Sequence, residues 1–512
     1  MLLTRGPPAG YNEWAEDMGL DEWSWKHVEP YFKRMENCKA HPGKDYRGYD
    51  GPLLVRQFPL PFGVYPYLEK ACEALGLPIR DDNNDPDGPV QGYFKLDATV
   101  DERGERLSAY HAYLNKRIAL ERQANLTICT GVVGSKLEVN GKTRQVTGVY
   151  LRSIDPNNTK KYLVKARREV IISNGTLRSP QMLLLSGIGP KEYIKSQGIT
   201  PIHDLPAVGK HLEDHYAVPV MLELPMQDTI HQLSTGLIAL WHIILYFVFG
   251  RGLMSAPSTQ TTAFGLDTMD SFQKRNIPDV EIMINPINSI QKDLPGRSLF
   301  TFHTALMQPL SRGRVELASI DPLVQPRVYY PFLTNEQDLV PLRAGIRFSM
   351  RMGEGISKTG YPHPAPLVFG PGMDQATFGR FMEEIPDPVA AESTSLKEMF
   401  GSTPAVLKEL KFNPVNKSWR DVTDEEIDAY ARHAAVAALH YSSSCRMSQT
   451  PKDGVVDQRL RVHGLKGLRI ADASVFPKCP AAHTMAPTIM AEEMESLVDS
   501  GREKLQNSST IY

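Results

Sequence analysis

The sequence predicts an α/β fold built from more than one domain, and three observations support this prediction. A chain of 512 residues is too long for one ordinary hydrophobic core, so at least two domains are expected. Residues 169–173 and 468–472 are short, mainly apolar segments typical of strands, and each is followed by a turn and, further on, by a helical pattern. Strand-like segments return in residues 280–350. The chain therefore combines strand–turn–helix units with a strand-rich middle part.

The composition is ordinary for a globular protein, with 41% hydrophobic and 23% charged residues. A net charge of −2 gives no electrostatic reason to expect a nucleic-acid partner or an acidic membrane surface. The five cysteines show no Cys-x-x-Cys spacing, so neither a zinc ribbon nor a disulfide framework is supported, and a reducing, cytoplasmic setting fits slightly better. No signal peptide is visible in residues 1–5, although secretion stays open because the N-terminus looks incomplete.

Apolar periodicity predicts four helices in the first quarter of the chain. They cover residues 11–18, 25–38, 65–75 and 107–124. Strands are expected next at residues 126–130 and 145–152. Residues 174–180 then form a strand-to-helix turn, in which Ser179 is a suitable N-cap and Pro180 a suitable first helical residue.

Residues 237–249 are the most apolar run of the chain. The run has too few residues to cross a bilayer, which takes about 20, so no transmembrane segment is expected. A buried or channel-lining helix is the favoured interpretation, and attachment to a lipid surface is the alternative. The strand-rich part that follows predicts strands at residues 280–284 and 300–307.

Two histidines in the C-terminal part, His440 and His483, are candidate site residues. A predicted helix over residues 425–438 leads to His440. His483 precedes a helix, and the positive end of a helix stabilises negative charge on a bound ligand. From the pattern alone, two unrelated histidines remain the alternative.

The whole segment from His440 to Glu493 resembles the C-terminal signature of the glucose-methanol-choline (GMC) family of flavin-dependent oxidoreductases. The matching motifs are His-x-x-x-x-Cys at 440–445, Val-Val-Asp at 455–457, Val-x-Gly-x-x-Gly-Leu-Arg at 462–469, Asp-Ala-Ser at 472–474 and the second histidine, His483. Segments closer to the N-terminus are similar to the family as well, at residues 5–36, 174–190, 205–215 and 311–317.

This resemblance implies a domain plan. The FAD-binding domain would consist of residues 1–215 and 431–512, with residues 40–105 as an insertion on the lid and substrate side. Residues 216–430 would form an α+β substrate domain on a mainly antiparallel sheet. The family also opens with a βαβ unit whose Gly-x-Gly-x-x-Gly turn binds the flavin pyrophosphate.

No Gly-x-Gly-x-x-Gly run occurs in the sequence, so we expect the βαβ unit to be missing. Either the sequence is a truncated reading of a longer gene, or the protein is a shortened form with a damaged cofactor site.

The resemblance also implies the chemistry. FAD would accept a hydride from a primary or secondary alcohol, such as a sugar, an aryl alcohol or an intermediate of secondary metabolism, and pass the electrons to oxygen or a quinone. His440 would be the base that removes the hydroxyl proton, and His483 its hydrogen-bonding partner. The positions implied to contact the flavin are Val133, Gly134, Asp472, Ala473, His483 and Thr484.

Three alternatives compete with this interpretation. A metal site fails because the spacings of histidines and cysteines around His440 and His483 fit no standard site. A serine hydrolase fails because no Gly-x-Ser-x-Gly nucleophile elbow is present. The alternative that stays open is a flavin-poor pseudoenzyme, which would retain the fold as a binding module after losing the phosphate loop.

Overall fold

The computed structural model describes residues 1–58, 62–234, 236–255, 262–268, 276–289, 297–374 and 413–498. The α-helices in these ranges are α1 (Pro8–Glu16), α2 (Trp25–Met35), α3 (Tyr65–Ala74), α4 (Ala109–Tyr113), α5 (Lys116–Glu121), α6 (Gly175–Leu185), α7 (Lys191–Ser196), α8 (Gly236–Phe249), α9 (Leu339–Lys358), α10 (Asp424–Ala434) and α11 (Met485–Val498). The predicted helices at residues 11–18, 25–38 and 65–75 are therefore confirmed, with boundaries shifted by a few residues.

The strands in the first half are β1 (Glu36–Cys38), β2 (Leu53–Arg56), β3 (Ile79–Arg80), β4 (Gly92–Lys95), β5 (Ala98–Thr99), β6 (Val132–Asn140), β7 (Gln145–Ser153), β8 (Lys161–Lys165), β9 (Val170–Ile172), β10 (Ile188–Gly189), β11 (His203–Asp204) and β12 (Tyr216–Glu223). Those in the second half are β13 (Thr262–Leu266), β14 (Val280–Asn285), β15 (Leu299–Leu306), β16 (Arg314–Glu316), β17 (Arg327–Tyr329), β18 (Leu367–Phe369), β19 (Val436–Ala437) and β20 (Leu468–Ile470).

The largest sheet runs in the order β18-β12-β15-β14-β13-β4-β3, with β19 paired to β12, and its long neighbours are antiparallel. Successive residues of a strand point to opposite faces. On β14, Val280, Ile282 and Ile284 enter the main core, where α9 packs against the sheet. Glu281 and Met283 point to the other face. One face of this sheet therefore supports the fold, and the other is left to form the wall of a site.

A second core surrounds β9 and β20, which pair in parallel with Arg469 opposite Ile171. Helices α2, α6 and α11 pack into this core. Parallel strands carry their carboxyl ends to the same edge of a sheet, which is where ligands bind in α/β folds. This pair thus brings the segments that follow Ile172 and Ile470 to one edge.

The predicted start of α6 is wrong. The helix begins at Gly175, and Ser179 and Pro180 lie buried inside it. A proline has no N–H to donate to the carbonyl four residues earlier, which here belongs to Thr176. The hydroxyl of Ser444 donates to that carbonyl instead. A contact from a distant part of the chain therefore replaces the missing backbone bond, and sequence signals at residues 174–180 could not reveal it.

Two other predictions fail for local reasons. The helix expected over residues 107–124 is divided into α4 and α5, because Asn115 caps the second helix by accepting the N–H of Ile118 at 3.1 Å. No strand forms at residues 126–130, since Leu126 continues the helical turn by donating to Arg122.

The helix expected over residues 425–438 ends at Ala434, because Val436 and Ala437 pair with the edge of β12. Tertiary pairing here overrides the local preference for a helix.

The prediction of a buried helix at residues 237–249 is also wrong, while the channel-lining alternative stays a prediction. These residues form α8, and none of its side chains is buried. The apolar pattern correctly predicted a helix, but it could not say whether other parts of the protein cover it. Within the described ranges, no helix combines the length and apolarity needed to span a bilayer.

Candidate active site

His440 is fixed to the end of β12 by two backbone contacts. Ala438 donates its N–H to the carbonyl of His215 at 2.8 Å, and His440 donates its N–H to Oδ1 of Asp214 at 2.7 Å. Leu439 between them has a positive φ of 63°, which is uncommon for a residue other than glycine. These two hydrogen bonds therefore hold the turn at Leu439, and the turn fixes where the imidazole of His440 lies.

The rings of His215 and His440 share one hydrogen bond. Their Nδ1 atoms lie 3.0 Å apart, and the ring planes are perpendicular. Only one of two neutral imidazoles can carry the hydrogen between two Nδ1 atoms, so the tautomer of one ring fixes the tautomer of the other. This contact couples the proton positions of both histidines.

Both rings are kept neutral. Burial lowers the pKa of His215 to about 4. The pKa of His440 lies well below its ordinary value, first because of burial and then because of the neighbouring charges of His483 and His215. A neutral imidazole has one nitrogen that accepts a proton. His440 is therefore uncharged at neutral pH, and one of its ring nitrogens carries no hydrogen.

His483 lies against His440, and their ring centroids are 4.7 Å apart. The backbone N–H of His483 donates to the hydroxyl of Thr4 at 2.7 Å, and its ring Nε2 lies 3.2 Å from Oε1 of Glu281. These contacts orient the ring just before α11 begins. The structure thus brings together the two histidines that the sequence singled out.

Glu281 is the acidic member of the site. It points away from the main core because its neighbours on β14 point into it, and its side chain is mostly buried. Burial alone would raise the pKa of Glu281, but the charge and hydrogen bond of His483, together with the charge of His215, outweigh burial and lower it. Glu281 is therefore a carboxylate at neutral pH and forms an ion pair with His483 when that ring is protonated.

A cleft opens beside this cluster. Its cavity volume is about 80 Å³, which is below the roughly 300–1,000 Å³ usual for small-molecule sites. Glu281 and Met307 lie on its sheet side, and Thr4 and Ala482 lie next to His483. Further walls are formed by Phe94, Leu96, Ala263, Phe264, Pro278 and Ala481. A small molecule in the cleft would meet apolar walls together with two carboxylates, Glu281 and Asp85, and the guanidinium of Arg80.

Buried charges anchor residues 1–5, which support His483 through Thr4. The guanidinium of Arg5 pairs with the carboxylate of Glu36. Arg47 pairs with Asp97 at 2.7 Å and with Asp82 at 3.2 Å. Asp97 also accepts a hydrogen bond from Asn84, whose amide oxygen accepts the N–H of Arg5 at 2.8 Å. A chain of hydrogen bonds therefore fixes the segment that holds the backbone of His483.

The residues implied to contact a flavin fall into two groups. Asp472 and Ala473 follow β20 at the edge of the parallel pair, and the carbonyl of Ala473 accepts the N–H of Ser443, three residues after His440. The carboxylate of Asp472 accepts the N–H groups of Gly175 and Ser474 at 3.0 and 2.8 Å. The carboxylate is thus already hydrogen-bonded within the protein, and only the backbone of Asp472 is available to a ligand.

The second group, Val133 and Gly134, belongs to β6. Gly134 packs closely on Met182 of α6, where an added Cβ would lie 2.5 Å from the methionine methyl group. Among the described residues, no hydrogen bond or ring contact joins this group to His440 or His483. Its role toward a cofactor stays a prediction.

The fit to FAD differs between the two ends of the cofactor. The edge of the parallel pair with the neutral His440 beside it suits the reactive end. For the pyrophosphate, the described residues offer no Gly-x-Gly-x-x-Gly turn between a strand and a helix, although a single glycine, Gly175, follows β9 at the start of α6. Gly187 and Gly189 follow α6, Gly250 and Gly252 follow α8, and Gly353 and Gly355 lie within α9.

His215 and Glu281 were not singled out from the sequence. His215 is the last residue of the 205–215 segment that resembles the family, so a signal was present. Glu281 is a charged residue inside the otherwise apolar segment 280–284, and a buried charge in such a segment is informative by itself. What the sequence could not show is that both side chains meet the two predicted histidines.

Comparison with known proteins places the chain in a family. The N-terminal model of the GMC oxidoreductase family matches residues 1–217, and the C-terminal model matches residues 309–491. The chain belongs to the GMC oxidoreductase family, whose members are FAD-dependent oxidoreductases. The predicted family, fold class and cofactor are thereby confirmed.

Among its relatives are oxygen-dependent choline dehydrogenases. The chain is 30% identical to that of Pseudomonas fluorescens strain Pf-5 over 525 residues, covering all of this chain and 80% of the relative. It is 29% identical to the enzyme of Chromohalobacter salexigens over 528 residues, with the same coverage.

Solved structures share the fold. Formate oxidase of Aspergillus oryzae matches with a TM-score of 0.76 and 23% identity, covering 98% of this chain and 82% of the other. A fungal aryl-alcohol oxidase matches with a TM-score of 0.71 and 20% identity, covering 97% and 83%.

Proposed function

We propose that this protein oxidises an alcohol to a carbonyl compound with FAD as the hydride acceptor. The observation that carries the proposal is the contact between the neutral, half-buried ring of His440 and the ring of His483, whose partner Glu281 lines a cleft. Alcohol oxidation requires removal of the hydroxyl proton, and a neutral imidazole is suited to accept it.

The contact with His215 defines which nitrogen of His440 takes the proton. If Nδ1 of His440 donates its hydrogen to Nδ1 of His215, then Nε2 of His440 is unprotonated and can act as the base. In the opposite arrangement Nε2 carries a hydrogen and cannot accept one. We therefore assign the Nδ1–H tautomer to His440, with His215 as a positioning residue that accepts this bond.

His483 and Glu281 have complementary roles in this proposal. His483 holds the substrate oxygen in line for proton transfer, and the carboxylate of Glu281 orients the ring of His483. A bound FAD supplies the acceptor for the hydride, which no side chain provides. The backbones of Asp472, Ala473, His483 and Thr484 would lie against it, with Val133 and Gly134 toward its adenine end.

The domain plan implied by the resemblance is consistent with these roles in binding FAD and the substrate. Residues 1–215 and 431–512 would bind FAD, and residues 216–430 would supply the substrate wall through β13 to β15. The choline dehydrogenases and the alcohol oxidase among the similar proteins support an alcohol substrate.

Replacement of His440 by alanine tests the proposal. With FAD supplied in excess, reduction of the flavin by an alcohol panel, followed by absorbance in a single turnover, should slow roughly 10²- to 10⁴-fold, the usual effect of losing a general base. His483→Asn should slow it less, because asparagine can still donate a hydrogen bond. Normal reduction by folded, yellow His440→Ala protein would remove His440 from the mechanism.

A binding module that retains the fold is the second candidate, favoured by the absence of a Gly-x-Gly-x-x-Gly run from the sequence. Titration of the purified protein with FAD separates the two functions. Saturable FAD binding followed by reduction with an alcohol supports the oxidoreductase. Lack of FAD binding at any concentration supports the module.

A further inference from the structure

We infer that α8 docks the protein on a lipid bilayer by inserting its outer face into the hydrocarbon. The exposed surface of this helix is made of large apolar side chains. Leu237, Phe247, Val248 and Phe249 are 83%, 77%, 65% and 61% exposed, and Trp241 is 56% exposed. Exposed apolar side chains are ordinary when scattered, but a contiguous set marks an interaction surface.

The exposed side chains cover a wide arc of the helix. At 100° per residue, they extend from Ile243 through Leu237 to Phe249, an arc of about 240°. The remaining side, which includes His242, faces the protein. His242 accepts the backbone N–H of Leu253 at 3.2 Å on its Nδ1, so the most polar side chain of α8 is satisfied within the protein.

Hydrocarbon fits this arc better than a protein surface does. Protein interfaces need about one hydrogen bond per 100–200 Å² and have polar rims, whereas the outer face of α8 consists of leucine, isoleucine, valine, phenylalanine and one tryptophan. A single partner helix packs against one stripe and would leave both flanks of the arc in water. A helix that is apolar all round is stable when it lies in a core or in lipid, and α8 is not in a core.

The dimensions define the mode of docking. A helix of 14 residues is about 21 Å long, shorter than the ~30 Å hydrocarbon layer. It would therefore lie in one leaflet, with Trp241 near the headgroups, where aromatic rings with a polar atom are favoured. The exposed charges on the neighbouring turn have both signs, Arg103 with Glu102 and Glu105. Uncharged lipid should therefore be sufficient.

Flotation of the purified full chain with phosphatidylcholine vesicles tests the inference. We expect the wild-type protein to float with the vesicles, to the same extent at low and at high salt. Leu237→Glu/Phe247→Glu should lower the partition coefficient roughly 10²-fold or more, because two large side chains lose their apolar burial. The matched control is Ile154→Glu/Ile320→Glu, at side chains 57% and 66% exposed elsewhere on the surface, which should float like the wild type.

A fluorescence measurement covers the case in which the double variant fails to fold. Vesicles should shift the tryptophan emission of the wild-type protein to shorter wavelength, and Trp241→Phe should lose that shift while still floating. Wild-type protein that stays with the unbound fraction at all lipid concentrations would overturn the inference. So would a wild-type dimer, unaffected by vesicles, that Leu237→Glu/Phe247→Glu converts to a monomer, because a second copy would then be the occupant of α8.

Discussion

The shared hydrogen bond between His215 and His440 predicts a rate effect from a residue that does not touch the substrate. The His215→Leu variant lacks the acceptor for Nδ1–H of His440 but has an apolar side chain of similar size in place of the imidazole. His215→Asn restores an acceptor, the side-chain oxygen, at nearly the same place. The two variants should therefore differ in rate although both lack the imidazole.

The magnitude follows from the single bond that is lost. A hydrogen bond between neutral groups contributes about 0.5–1.5 kcal/mol net, and 1.4 kcal/mol corresponds to a factor of ten. Without His215, the share of His440 with an unprotonated Nε2 should fall roughly 2- to 12-fold, and the rate of proton removal with it. This loss is smaller than the roughly 10²- to 10⁴-fold expected for His440→Ala.

Single-turnover reduction of the flavin is the assay, with FAD in excess and the same alcohol for each variant. Thermal unfolding and flavin content serve as controls, because a merely structural role of His215 would change those instead. The reasoning is refuted if His215→Leu reduces flavin as fast as the wild type. It is also refuted if His215→Asn is no faster than His215→Leu while both proteins are folded.

Three further outcomes are expected. Glu281→Gln removes the charge-assisted bond to His483, worth about 1.5–3 kcal/mol, so kcat/KM should fall roughly 10- to 150-fold, and an unchanged value would exclude the positioning role. Folded His215 has a pKa of about 4, whereas the unfolded chain takes up that proton near pH 6.5, so the free energy of unfolding should fall on acidification between these values. Urea unfolding should show about 3 kcal/mol more loss in the wild type than in His215→Asn. An equal dependence of the free energy of unfolding on pH in both proteins would contradict this. Asp472→Ala leaves buried donors without an acceptor and should lower the free energy of unfolding by roughly 3 kcal/mol or more, so an unchanged urea midpoint would show that these bonds contribute little.

From the sequence alone, only the site residues that lie within recognisable motifs could be identified. His440 and His483 lie in a segment dense in motifs, and the strands around them are apolar enough to be recognised. His215 and Glu281 were missed because their importance depends on pairing across the fold. A histidine after Asp214 and a glutamate on β14 become informative only once β12 and β14 are known to bring them to the same place.

Most of the errors in the predicted secondary structure also come from contacts between distant parts of the chain. The start of α6 depends on a hydroxyl from Ser444, and the early end of α10 depends on pairing with β12. The break after α4 is different, because Asn115 is a local capping signal that the apolar pattern concealed. For α8 the pattern was interpreted correctly as apolar, and only the location of the helix in three dimensions was beyond its reach.

The largest sheet packs one face against the main core and turns the other toward the site, and this affects how the enzyme could acquire new substrates. Along β14 and β15, residues that stabilise the main core alternate with residues that face the site, so Ile282 and Phe302 belong to the first set, and Glu281 and Ala305 to the second. Mutations in the second set can reshape the pocket while the first set keeps the domain folded. A library that varies only every second codon of these strands, with Glu281 kept, would therefore search for new activities with few losses to misfolding.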